Sequence, residues 1–195
     1  KLIHWTDVKA VNLLVVGRKK QSEGSGITAR RVARKTKSDV LFVPEGTSEK
    51  IEKIVVPVDF SVHSYRALRK ALDIRRALPD VKIIALNIVS RPPFDVYSVS
   101  YQNQDVMTAL TKKAKSDYDD FMDEYELPKS AFQPVFRDKI IVGVEVGIRR
   151  YLSENPTDLV ILGAKGHSPY QTFLYGSVTE AFVEYYNESP VLVVR

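Results

Sequence analysis

The tightest constraint on the fold is a strand-like run, Leu159-Val-Ile-Leu162, that leads straight into Gly163-Ala-Lys-Gly166 and, after nine intervening residues, Gly176-Ser177. An amphipathic run then starts at Val178. This order reads as strand, glycine-rich loop, helix. Glycines at the end of a strand let the backbone turn sharply, adopt positive φ and approach a ligand without Cβ atoms in the way. A helix N-terminus directly after the loop offers unpaired N–H groups and a partial positive charge, which suit a phosphate. Ser177 can cap that helix or donate to the anion. A Walker loop is excluded because no Gly-Lys-Ser/Thr triplet follows, and the glycine spacing is wrong for a dinucleotide fingerprint.

The rest of the chain alternates between short apolar runs and helical periodicity. Asn12-Leu-Leu-Val-Val-Gly17 and Asp39-Val-Leu-Phe-Val43 read as strands flanking a helix over about Ile27–Thr36. Pro44-Glu-Gly-Thr-Ser-Glu-Lys50 is rich in breakers and charge, as a linker is. Strand patterns follow at 51–59, 81–89, 132–137, 158–163 and 190–194. Between them the spacing predicts helices over 63–78, 105–125, 144–153 and 178–186. Strands alternating with helices imply a parallel sheet, because parallel strands need crossover connections.

The 195 residues are long for one domain and short for two. An internal repeat accounts for the length: residues 12–17 lie over 158–163, and 38–43 over 189–194. The offsets are 146 and 151, so the first copy is five residues shorter, and the loss falls in its glycine loop. Residues 1–44 thus read as the C-terminal remnant of a degenerate domain, 45–50 as a linker and 51–195 as a complete domain. Leu2, Ile3, Trp5 and Val8 form the apolar stripe of a second helix at the start of the chain, and two strands and two helices cannot bury a core alone, so the remnant is expected to be ordered only by docking.

Charge is uneven. Residues 1–50 hold eleven Lys/Arg against five Asp/Glu, leaving eighteen against nineteen for the remainder. No aromatic interleaving accompanies the basic run Arg30–Lys37, so a solvated helix face fits better than a nucleic-acid surface. The absence of cysteine removes disulfides, thiolate metal sites and cysteine nucleophiles, and fits a reducing compartment. No run approaches the length of a membrane span. The expected location is the cytoplasm.

With Pro57-Val-Asp59, the Gly163-x-x-Gly166, nine-residue, Gly176-Ser177 pattern and the terminal Pro190-Val-Leu-Val-Val194, residues 51–195 resemble the universal stress protein family. The resemblance implies an α/β fold: a five-stranded parallel sheet of order 3-2-1-4-5, helices on both faces, and a partial second α/β domain at the N-terminus. It also implies ATP, or ADP or AMP, as ligand, with Mg as an accompanying ion. The triphosphate would sit on the amides of Gly163, Gly166, Gly176, Ser177 and Val178. Ribose and adenine would lie toward Val58 and Asp59, with Ile88 as an apolar wall. In the family the last strand pairs at the sheet edge, giving a homodimer or, in a tandem chain, an intramolecular pairing of Val191–Val194 with Asp39–Val43.

Each residue also has a plainer role open to it. Asp59 can cap the following helix, and Lys165 can face solvent or offset phosphate charge. His4, His63 and His167 read as surface histidines, and Tyr170, Phe173 and Tyr175 as residues that pack the loop down. An anion cradle is visible, whereas the base and arginine finger that phosphoryl transfer needs are not. The expected function is therefore an ATP-binding stress-response or signalling module with slow or no hydrolysis. Its rival is an interaction module of the same fold that binds no nucleotide, and an adenylyl-transfer enzyme is the third and weakest reading.

Overall fold

A computed structural model describes residues 5–6, 8–18, 35–89, 103–138, 143–166 and 175–195. Seven strands are present: β1 (Leu13–Arg18), β2 (Asp39–Pro44), β3 (Lys53–Pro57), β4 (Lys82–Val89), β5 (Gln133–Asp138), β6 (Leu159–Gly163) and β7 (Val191–Val194). Among the described residues the connections after β3 include four α-helices, α1 (Val62–Ala77), α2 (Asn103–Glu124), α3 (Val144–Glu154) and α4 (Ser177–Tyr185), and a short 3-10 turn at Lys129–Ala131. Most of the helix expected over Ile27–Thr36, the residues Lys1–His4 and the spacer 167–174, with His167, Tyr170 and Phe173, lie outside the described residues.

The strands form one sheet of order β1-β2-β7-β6-β3-β4-β5. This corrects the expectation of a five-stranded sheet with a separate partial domain. The five strands after residue 50 do take the order 3-2-1-4-5, but β1 and β2 extend the same sheet to seven. The cause is the pairing of β2 with β7, antiparallel through Val40↔Val193, Leu41↔Leu192 and Phe42↔Val191. Val40 and Phe42 are buried in a core shared with Phe182 and Val193, so the N-terminal strands belong to the hydrophobic interior of the rest. Polar contacts reinforce the seam. Asp39 accepts from the Arg195 amide (3.0 Å) and pairs with Lys70 (2.8 Å). Arg18 donates to the Tyr186 carbonyl (2.8 Å) at the C-terminus of α4, where a cation complements the helix dipole.

The internal repeat is visible in the strand register. Leu14↔Val40 and Val15↔Leu41 on β1–β2 match Val160↔Val191 and Ile161↔Leu192 on β6–β7. Because the repeat lays Val40 over Val191 and Phe42 over Val193, the antiparallel β2–β7 pairing is symmetric about Leu41↔Leu192. A local two-fold passes there and carries β1–β2 onto β6–β7.

Alternation along the strands divides the interior into two layers. Ile54, Val56 and Ile161 face α1 and α2, where Ala67, Leu68, Ala71, Phe121 and Met122 meet them. Val55, Val160 and Leu162 face α3 and α4, against Ile148, Leu152, Phe182 and Val183. β3 and β6 are parallel neighbours, paired at Ile54↔Leu159 and Val55↔Val160. The chain leaves β3 toward β4 and β6 toward β7, in opposite directions along the sheet. That divergence opens a crevice at the carboxyl ends of β3 and β6, where open α/β sheets bind ligands.

Candidate functional site

One wall of the crevice is the turn between β3 and α1. The Val58 amide donates to the Leu86 carbonyl (2.8 Å), and the buried Asn87 side chain donates to the Val58 carbonyl (2.9 Å), so β4 fixes the exit path of β3. Phe60 has φ of 63°, a left-handed conformation that is uncommon for a bulky residue. Its ring is held by Phe121 at 5.8 Å and by the edge of Tyr118 at 6.5 Å. This turn aims the Asp59 carboxylate into the crevice. Asp59 Oδ1 accepts from the Ser61 hydroxyl (2.6 Å), the Ser64 hydroxyl (2.6 Å) and the Ser61 amide (3.2 Å). Ser61 is the N-cap of α1 and accepts from the Ser64 amide. Asp59 therefore does not cap the helix itself but orients the residue that does.

The other wall is the glycine loop. None of Gly163, Gly166 and Gly176 has positive φ; among the described glycines only Gly46 does. The expectation that these glycines serve a left-handed turn is thus corrected: what they provide is close approach. A Cβ at Gly163 would meet the backbone of His63, with the carbonyl oxygen at 2.6 Å and its carbon at 2.7 Å. A Cβ at Gly166 would collide with Asp59 Oδ2. At Gly176 the nearest atoms, Lys165 Cα at 3.4 Å and the Gly166 nitrogen at 3.5 Å, are ordinary contacts.

Helix α4 starts immediately behind this loop. Gly176, not Ser177, is its N-cap, with no side-chain capping bond, so Ser177 is the first residue of the helix. First-turn amides have no intrahelical acceptor, which leaves those of Ser177 and Val178 directed at the crevice end of the helix. Three bonds lock the loop to the sheet. Ala164 donates to the Val194 carbonyl (2.7 Å), Gly176 to the Ala164 carbonyl (2.9 Å), and the Thr179 hydroxyl to the Gly163 carbonyl (2.8 Å).

Between these walls lies a cavity of about 280 Å³. Val58, Asp59, Ile88, Gly163, Lys165, Gly166, Gly176, Ser177 and Val178 all line it, so the fold gathers every site residue expected from the sequence into one space. Its floor is apolar, formed by Leu86, Leu162, Val144 and Ile148 together with Ile88. Gly147 permits that floor to close, since a Cβ there would lie 3.1 Å from Ile88 Cγ2. Val144 and Ile148 on α3 and the hydroxyls of Ser64 and Thr179 are cavity residues that the sequence reading missed. The serine spacing in Asp59-Phe-Ser61-Val-His-Ser64, a cap followed by its third residue, is a signal that could have found Ser64. Tyr175 is buried beneath the Arg195 guanidinium, 4.9 Å from its ring.

The charges at the mouth are mixed. Lys165 and Asp59 both line the cavity, and His63 lies beside them. Burial, then the neighbouring Arg66 and Lys165 cations, hold the His63 imidazole below its ordinary pKa against the opposing pull of Asp59. Its Nδ1 is buried with no hydrogen-bond partner. Among the described residues no group of three or more His, Asp or Glu side chains could hold a metal ion. No helix among them is long and apolar enough to cross a membrane. The chemistry on offer is recognition: glycine backbone and helix amides for an anion, a carboxylate for hydroxyl groups, and an apolar floor for a flat ring.

Comparison with known proteins agrees with this geometry. The sequence model of the universal stress protein family matches residues 50–195. A Staphylococcus saprophyticus protein named as a universal stress protein is 28% identical over 147 residues, covering 74% of this chain and 83% of its own. A Pseudomonas aeruginosa structure of that description matches all of this chain with a TM-score of 0.68 at 14% identity. The chain spans 66% of that protein's length. A universal stress protein solved in complex with cAMP aligns with 74% of the chain and 97% of its own, with a TM-score of 0.51 at 19% identity.

Proposed function

Because this chain belongs to the universal stress protein family, we propose that it is an adenine-nucleotide-binding stress-response module, with ATP as ligand and slow or no hydrolysis. The observation that carries this reading is the convergence of nine residues from four separate segments on one cavity at the β3–β6 crevice. In the proposed complex the phosphates lie on the amides of Gly166, Gly176, Ser177 and Val178, and Lys165 offsets part of their charge. Asp59 receives the ribose hydroxyls, and the base lies on Ile88, Val144 and Ile148. That a protein of the same fold was solved with cAMP supports an adenine nucleotide over other anions. A Mg ion would accompany the phosphates and be held by them, with Asp59 as the one carboxylate of the cavity lining among the described residues. Residues 1–44 we read as the remnant of a second domain of the same kind, joined through 45–50.

Hydrolysis needs an oriented nucleophile and charge stabilisation at the transferring phosphoryl group. Asp59 is engaged by two serine hydroxyls, and among the described residues the cavity lining holds one other charged residue, Lys165. That set favours holding a nucleotide over cleaving it.

The test is direct: purified protein is denatured and its supernatant examined for nucleotide, and the emptied protein is titrated calorimetrically with ATP, ADP and AMP. Bound nucleotide, or saturable binding lost in Asp59→Ala, supports the proposal. No released nucleotide and no heat at millimolar ligand overturns it in favour of the interaction-module reading.

A further inference from the structure

The antiparallel seam brings the start of β2 to the site end of the sheet. Val40 pairs with Val193, so Asp39 stands at the carboxyl end of β7, beside Val194 and Arg195. There the Asp39 carboxylate accepts from the Arg195 amide (3.0 Å) and pairs with Lys70 of α1 (2.8 Å). The next contacts lead to the glycine loop. The Val194 carbonyl accepts from the Ala164 amide, and the Ala164 carbonyl accepts from the Gly176 amide. The Arg195 guanidinium lies 4.9 Å from the ring of Tyr175, which is 5% exposed and directly precedes Gly176, the N-cap of α4. A cation over a desolvated aromatic face is a directional contact. Arg195 thus touches β2 on one side and the start of the anion cradle on the other. The contact runs one way. The repeat lays Pro190 over Asp39, and proline offers no side-chain acceptor, so β7 has no equivalent hold on the residue after β2.

We propose that Arg195 is a positioning residue for the anion cradle, and that Asp39 ties its placement to the N-terminal strands, so that the degenerate repeat sets the phosphate affinity of the intact one. This rests on the reading of the cavity as a nucleotide site. None of Asp39, Tyr175 and Arg195 lines the cavity, so their effect reaches the ligand through the start of α4. The amides of Ser177 and Val178 take their direction from that start. Donors fixed in advance bind an anion more tightly than donors that must be ordered on binding. The coupling is also reciprocal: if an ordered β2 strengthens phosphate binding, bound phosphate stabilises β2 by the same factor.

The experiment joins hydrogen exchange by mass spectrometry to calorimetric titration with ATP and with adenosine, on the full chain. Arg195→Leu keeps the backbone amide that Asp39 accepts from and removes the guanidinium, Asp39→Ala removes the acceptor, and Lys70→Met breaks only the salt bridge. Without ligand, exchange in residues 175–183 should rise about fivefold or more in Arg195→Leu and Asp39→Ala, and stay at the parent rate in Lys70→Met. ATP affinity should fall about tenfold in the same two variants, with adenosine affinity unchanged. In the parent, ATP should slow exchange in residues 39–44. Unchanged exchange in 175–183 overturns the proposal, since a role of charge alone would lower ATP affinity without moving those amides. Equal losses for ATP and adenosine overturn it too, because a general loosening of the fold would produce them. A parent that binds neither ligand removes the nucleotide reading, and the exchange in 175–183 then decides the positioning role by itself.

Discussion

Asp59 and Gly166 share one space: the carboxylate Oδ2 of the first fills the position that a Cβ of the second would take. The two residues stand at the ends of strands that are neighbours in the sheet and about a hundred residues apart in sequence. The contact joins the serine-anchored turn of β3 to the glycine loop of β6, so neither wall of the crevice can be altered alone.

Substitutions at the three loop glycines should therefore differ in kind. Gly163→Ala sets a methyl against the His63 backbone, which cannot rotate away, and should cost about 1–3 kcal/mol in urea denaturation. Gly176→Ala meets only ordinary contacts and should stay within about 0.5 kcal/mol of the parent. Gly166→Ala should fall between them, because the Asp59 carboxylate can swing aside only by giving up its bonds to Ser61 and Ser64. In a double-mutant cycle, Asp59→Ala should relieve the Gly166→Ala penalty by about 0.5–3 kcal/mol. Strict additivity would show that the two residues do not share space.

Periodicity and breakers locate the elements because each depends on local sequence: the ends expected for β6 and α4 fall within one residue of those observed. The cavity is legible for a related reason, since the glycine motif and Asp59 sit at strand ends, and parallel topology brings strand ends together. What local sequence does not encode is who touches whom. The steric need for Gly163 comes from His63, a hundred residues upstream, and the need for Gly166 from Asp59. Similarly, the repeat reveals kinship between Ser38–Val43 and Ser189–Val194, but the pairing of Asp39–Val43 with Val191–Val194 is legible only as one of two edge pairings that the family resemblance implies, and local sequence does not say that it makes one continuous sheet.

Acid should weaken the fold through His63. Burial and two neighbouring cations lower its folded pKa below the unfolded value near 6.5, so the folded state resists taking up a proton that the unfolded state accepts. The stability tied to neutral His63 is complete above that unfolded value. It is lost as pH falls from there through the lowered folded pKa. Melting temperature followed from pH 7.5 to 5 should decline more steeply for the parent than for His63→Gln. Parallel curves would mean that the imidazole titrates alike in both states.

Tyr118 carries a hydroxyl that earns no hydrogen bond. The side chain is 4% exposed, its oxygen is buried without a partner, and burial, followed by the nearby Asp119, pushes its pKa up to about 12. An unsatisfied buried hydroxyl is a desolvation cost without return. Tyr118→Phe keeps the ring contacts with Phe60 and Phe136, and should leave stability unchanged or raise it by up to about 1 kcal/mol. A clear loss of stability in denaturant titration would point to a bonded hydroxyl in solution.

The fusion of the N-terminal strands with the rest makes its own prediction at Phe42. The ring is 1% exposed in the core that it shares with Phe182 and Val193, under the Arg18 guanidinium at 5.5 Å. Removing it opens a cavity in the common interior, so Phe42→Ala should lower stability by about 3–5 kcal/mol. If β1 and β2 were an appendage, the loss would confine itself to them, and the remaining five strands would unfold as in the parent. In a single interior the whole molecule must share the loss. The single tryptophan, Trp5, reports on the N-terminal segment, and far-ultraviolet circular dichroism is weighted toward the helices after residue 50, which hold most of the helical residues among those described. The two signals should move together in Phe42→Ala, through one transition shifted to lower denaturant; a fluorescence transition that precedes an unshifted dichroism transition would separate the halves.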